Sequence, residues 1–145
     1  MIIDKKRLVV SIVVASLCSF TLLSCTHKPP AREIIDPTTK GLNSEVKAVL
    51  TSGKPAVIVM GTGLCDNCKM VADIVNILKE KRKDLEIGWL VYEDYRDQAT
   101  FKAFHLTISP TTYLINQDRE VKRRITGTYS EEDLLNALKE EGIIH

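Results

Sequence analysis

From about Gly41 onward the apolar residues change their spacing block by block, and each change marks an element. Leu42, Val46, Val49 and Leu50 recur at helical spacing, and Gly53 followed by Pro55 predicts where that helix stops. Ala56-Val57-Ile58-Val59-Met60 is a short apolar run rich in β-branched residues, which predicts a strand buried on both faces. Gly61, Thr62 and Gly63 then turn the chain. From Cys65 onward, Met70, Val71, Ile74, Val75, Ile77 and Leu78 form a broad apolar stripe and predict a helix. Ile87 to Tyr92 reads as a second buried strand. Arg96 to His105 is a helix candidate, with Asp97 as cap and Phe101 and Phe104 facing inward. Thr112 to Asn116 and Val121 to Thr126 flank Gln117-Asp118-Arg119, the pattern of a hairpin. Ser130-Glu131-Glu132-Asp133 offers a hydroxyl cap and acids near the positive end of a final helix, whose apolar face is Leu134, Leu135 and Leu138. Strands alternating with helices imply a parallel pair, and the hairpin adds antiparallel strands.

The first residues follow another pattern. Lys5, Lys6 and Arg7 precede a run from Leu8 to Leu23 broken only by small polar residues and Cys18. A positive start before a short apolar run predicts a secretory signal over residues 1–24. The alternative is an uncleaved anchor, although a spanning helix needs about 20 apolar residues. Leu22-Leu23-Ser24-Cys25 resembles the lipobox of bacterial lipoproteins, where a small residue precedes a cysteine that receives lipid. That resemblance makes Cys25 the mature N-terminus and its lipidation site, held at a membrane of the bacterial cell envelope by acyl chains. Pro29, Pro30 and Pro37 among charged residues then read as a semi-extended tether over 25–40, leaving 41–145 as one domain.

Composition narrows the function. The chain has 145 residues, 20 basic and 19 acidic, for a formal net charge of +1. Removing residues 1–24 takes away three bases and one acid and leaves the mature chain near −1. Such balance argues against a nucleic-acid partner held by a basic surface. Of four cysteines, Cys18 leaves with the signal and Cys25 is consumed by lipid. Cys65 and Cys68 remain, in a compartment that permits disulfides.

Cys65-Asp66-Asn67-Cys68 follows a buried strand and opens a helix. Two thiols at that spacing can close a bridge across one turn. The helix N-terminus and its unpaired N–H groups are expected to stabilise a thiolate on Cys65. Cys68, one turn deeper, is suited to resolve a mixed disulfide. Asp66 opposes the dipole by like charge, which leans the pair towards a reductant.

These residues, with Ser109-Pro110-Thr111 before a later strand and Gly127 ahead of the last helix, resemble the thioredoxin family over about residues 42 to 143. The resemblance implies an α/β, three-layer fold with a mixed central sheet of about four strands flanked by helices. It implies Cys65 as attacking and Cys68 as resolving cysteine, a cis Pro110 against the dithiol, and Ser109 and Pro110 as substrate-binding residues. Lys69 fits the family as well. The departures are Val59 where cytoplasmic thioredoxins carry a buried aspartate, Gly61 and Leu64 in place of tryptophans, and Asp66-Asn67 in place of Gly-Pro. Exported, membrane-tethered thioredoxin-like proteins with narrower clients look closer. With no acid at position 59, Glu93 or Asp94 is a candidate proton acceptor for Cys68, against the plainer reading of a solvated acidic loop.

The expected partners are a disulfide-bearing client protein, a membrane electron-donor protein, and the membrane itself through Cys25. No cofactor is expected. His105 lies five residues before Pro110, but a closed zinc site needs four ligands, and His27 and His145 lie in the tether and at the end of the chain. No metal is expected either. The competing reading is a redox-inert binding module on the same fold, with a structural Cys65–Cys68 bond.

Overall fold

The structure is a computed structural model, and it describes residues 32–91 and 97–145. The predicted signal, Cys25 and the acidic residues Glu93 and Asp94 lie outside the described residues, as does Tyr92. Among the described residues, eight elements follow in the order helix, strand, helix, strand, helix, strand, strand, helix: α1 Ser44–Thr51, β1 Ala56–Gly61, α2 Asp66–Lys81, β2 Glu86–Val91, α3 Gln98–Ala103, β3 Thr111–Ile115, β4 Val121–Thr126 and α4 Glu131–Glu140. That is the order the apolar periodicity predicts.

The sheet is mixed, in the order β2-β1-β3-β4. β1 pairs with β2 in parallel and with β3 antiparallel, and β3 turns back into β4. Every residue of β1 is buried, as a strand covered on both faces must be. Alternation along the strand sends Ala56, Ile58 and Met60 to one core and Val57 and Val59 to the other. α1 and α3 cover the first face through Val46, Val49, Leu50 and Phe101. α2 and α4 cover the second through Val71, Val75, Leu78, Leu134 and Leu138. Phe104 and Tyr113 meet edge to face at 5.0 Å, and the Tyr113 hydroxyl donates to the Phe104 carbonyl at 3.0 Å.

Local chemistry explains the ends of the helices. Ser130 and Asp133 form a reciprocal capping box at the start of α4, which uses the polar run before Leu134. Asp97 occupies the position before α3, but its side chain does not cap that helix. It is buried and accepts a hydrogen bond from the Asn43 amide, tying α3 to the start of α1. In the hairpin the Asn116 side chain accepts from the N–H groups of Asp118 and Glu120, at 3.0 Å each. Arg119 takes a left-handed backbone within that turn.

The segment expected to be a tether is ordered against the sheet from Glu33. Ile34 bridges Glu120, the Ile35 N–H donates to the Arg119 carbonyl at 3.0 Å, and the Val121 N–H donates to the Glu33 carbonyl at 2.8 Å. Ile35 is buried in the α1–α3 core, and the Glu33 carboxylate pairs with Arg124. The packed domain therefore starts ahead of the expected boundary at residue 41, because an edge strand with unpaired backbone groups recruits the preceding segment.

This entry point lies at one end of the sheet. Ala56 pairs with Ile115, so the hairpin turn that Glu33–Ile35 touch adjoins the start of β1. Met60 pairs with Thr111, and Gly61 with Val91, so the opposite end gathers Cys65 and Pro110.

Candidate active site

Cys65 is the N-cap of α2, in extended conformation, and its Sγ accepts the Cys68 backbone N–H at 3.2 Å. The sulfur thus serves as the cap that a serine or threonine oxygen usually provides. Cys65 remains partly exposed, whereas Cys68 is fully buried, and the two thiols are unlinked. Ser109–Pro110 is a cis peptide, and the Ser109 hydroxyl stands 3.7 Å from Cys68 Sγ. Two further bonds hold the loop: the Thr111 hydroxyl donates to the Ile108 carbonyl, and the Gly127 N–H donates to the Pro110 carbonyl at 2.9 Å. Gly127 has φ of 84°, a conformation that favours glycine. Cys65 and Cys68, singled out by their spacing, and Ser109 and Pro110, implied by the family resemblance, meet at one end of the sheet.

The thiols act on each other. Cys65 is raised, first by its hydrogen bond with Cys68 and against the lowering effect of the Cys68 and Asn67 backbone N–H groups. The lowering expected from the helix N-terminus is therefore outweighed by the neighbouring sulfur. Cys68 is lowered: burial pushes it up, but hydrogen bonds from Cys65, from the Thr62 backbone and hydroxyl, and from Ser109 prevail. A second sulfur must ionise beside a charge already formed, so the pair loses its protons in two separated steps. Asp66, expected to raise Cys65 by like charge, is 95% exposed and paired with Lys69 at 3.4 Å, so solvent and counter-charge weaken it. The upward shift comes first from Cys68 instead.

Gly61 shows how tightly the resolving sulfur is seated. A Cβ at this position would stand 3.0 Å from the Trp89 ring, 3.1 Å from Cys68 Sγ and 3.2 Å from Cys68 Cβ. The space that a side chain would fill is taken by Trp89, the one tryptophan in the chain, reaching across from β2. An aromatic wall beside the dithiol is thus supplied from the neighbouring strand. Val59 is fully buried, so no carboxylate stands at that position in β1.

Two large apolar side chains next to the site face solvent. Leu64, directly before Cys65, is 88% exposed, and Ile108, directly before Ser109, is 56% exposed. The role of Thr62 was not legible beforehand; a hydroxyl between two glycines, three residues past an apolar Val59, was the available signal. His105 does not join the cysteines by any bond. It is exposed, with φ of 51°, in a cleft with Gln98, Phe101, Lys102, Leu106 and Thr107. Among the described residues no cluster of three His, Cys, Asp or Glu side chains forms a metal site.

No family model matches the chain, and no curated protein matches it. Solved structures do. Thioredoxin O2 from Arabidopsis thaliana in the oxidized state aligns with a TM-score of 0.56 at 16% identity, over 68% of this chain and 90% of that one. Thioredoxin NaTrxh from Nicotiana alata aligns with a TM-score of 0.54 at 21% identity, over 65% and 78%. Thioredoxin f2 from Chlamydomonas reinhardtii gives 0.53 at 16%, over 63% and 82%. The fold is that of thioredoxin. Within the thioredoxin fold of this chain, the dithiol sits at the β1–α2 junction and the cis-proline loop covers its buried member.

Proposed function

We propose that this chain is a membrane-anchored thiol–disulfide oxidoreductase that works outside the cytoplasm and reduces disulfides in client proteins. One observation carries the reading: an accessible sulfur at a helix start, within hydrogen-bond reach of a sealed partner and beside a cis-proline loop. Cys65 attacks a client disulfide, forming a mixed disulfide and releasing one client thiolate, which takes a proton. Cys68 then attacks Cys65 Sγ, closes the Cys65–Cys68 bond and releases the second client sulfur. The client gains two electrons and two protons, and the protein loses them.

Client binding falls to the surface around Cys65. Leu64, next to Cys65, and Ile108, next to Ser109, offer exposed apolar contacts, and the backbone at Ser109 and Pro110 lines the approach of an extended client strand. The raised Cys65 thiol favours reduction of clients, because a sulfur of higher pKa leaves its disulfide less readily and keeps the oxidised form stable. A membrane electron donor returns the pair to the dithiol.

The anchor rests on Cys25. Lipid there holds the protein in the cell envelope, and the domain is joined through a chain that enters it at Glu33, at the sheet end away from the dithiol. Cys25→Ala is expected to move the protein from the membrane fraction to the soluble fraction and to abolish labelling by a fatty-acid probe. Unchanged membrane retention would point to the apolar segment 8–23 as an uncleaved anchor instead.

A further inference from the structure

A resolving cysteine must lose its proton before it can attack, and a buried one needs a route for that proton. Here Cys68 is fully buried, and Val59 of β1 is apolar and fully buried as well. A hydroxyl stands beside the sulfur. Ser109 Oγ lies 3.7 Å away, and the Ser109 residue is itself exposed, so its hydroxyl links the sealed sulfur to water. Close packing at Gly61, where a Cβ would stand 3.1 Å from Cys68 Sγ, holds the sulfur against the end of β1.

Resting on the exchange reaction proposed above, we infer that the Ser109 hydroxyl is the proton relay of the buried thiol: it passes the Cys68 proton to solvent and then holds the thiolate that resolves the mixed disulfide. The step balances. The Cys68 S–H proton moves to the Ser109 oxygen while the Ser109 hydroxyl proton moves to water, leaving a thiolate on Cys68 and an unchanged serine. That thiolate attacks Cys65 Sγ, the Cys65–client bond breaks, and the client sulfur leaves with the electron pair. Hydroxyls donate without carrying charge, so the thiolate is stabilised with no second ionisation near it.

Among the described residues, the other groups near the sulfur do not supply the same service. Cys65 Sγ accepts the Cys68 backbone N–H, and Asp66 and Lys69 are exposed and paired with each other. Gly61 of β1 and Trp89 of β2 pack around the sulfur, and neither ionises in this range. Among the described residues, the exposed side-chain hydroxyl within hydrogen-bond reach of Cys68 Sγ is that of Ser109.

The test uses the full chain with a small aromatic disulfide. Reduced protein releases one coloured thiol as Cys65 attacks, and a second as Cys68 closes the bridge. Ser109→Ala is expected to slow the second release about tenfold at neutral pH and to move its midpoint to higher pH, the effect of losing a hydrogen bond to a charged acceptor. Ser109→Thr, which keeps the hydroxyl, is expected to retain the wild-type profile. The Ser109 side chain sits at an exposed position, so its truncation leaves the core packing untouched. A second release with wild-type rate and pH midpoint in Ser109→Ala overturns the inference. Absence of any second release from the wild type would instead defeat the exchange reaction itself.

Discussion

Cys65→Ser is expected to reduce disulfide exchange to the uncatalysed rate, and Cys68→Ala to halt it after one event with the client still attached. The asymmetry follows from burial. Cys65 is the sulfur a client can reach, whereas Cys68 is sealed against Gly61 and out of a client's reach. Removing the first leaves no accessible nucleophile. Removing the second leaves the mixed disulfide without an intramolecular attacker, so only slower attack from solution releases it. Non-reducing electrophoresis of cell-envelope extracts separates the two outcomes: Cys68→Ala is expected to shift into client adducts that collapse on reduction, and Cys65→Ser is expected to show none. Equal adducts in both variants would mean that Cys65 is not the attacking residue. A wild-type partner complex that survives Cys65→Ser would instead favour a binding module on this fold.

A chain beginning at Gly41 is expected to be several kcal/mol less stable than one beginning at Arg32. Such a cut removes Ile35 from the α1–α3 core together with two backbone hydrogen bonds to the hairpin and the Glu33–Arg124 pair. Losing a buried isoleucine costs about 2–5 kcal/mol when truncated to alanine, and a domain of this size holds about 5–15 kcal/mol in total. Ile35→Ala in the full-length chain isolates the core contribution. Urea unfolding measures both, with the loss expected as a lower midpoint at similar slope. Equal midpoints for the two chain lengths would return residues 33–40 to the role of a plain tether.

That boundary also shows where reading the chain alone runs out. The eight elements were legible because each carries its own local signal: the all-apolar run of β1, the stripe along α2, and Ser130 with Asp133 before α4. The edge pairing of Ile34 with Glu120 joins residues far apart in sequence, and Pro37 nearby suggested an extended connector. No local pattern encodes a long-range bridge. Cys65 and Cys68 were likewise legible from their spacing, and Ser109 and Pro110 from the resemblance to thioredoxins. Their electrostatics were not, since the raised Cys65 thiol depends first on how close Cys68 comes. Asp66 looked influential in the sequence because it is adjacent, yet its carboxylate turns to solvent and to Lys69. Trp89 could be placed in or beside the sheet, but its position over Gly61 required knowing that Val59 pairs with Trp89 across the parallel strands.

The central claim is that Cys65 and Cys68 form a reversible, reducing dithiol. Equilibrating the protein with defined ratios of reduced and oxidised glutathione, and following the fluorescence of its single tryptophan beside Cys68, measures this directly. The account predicts one two-electron transition, lost in Cys65→Ser, with a potential nearer the reducing range of about −270 mV than the oxidising range of about −120 mV. A pair that never bridges, or one poised at the oxidising end, would contradict it.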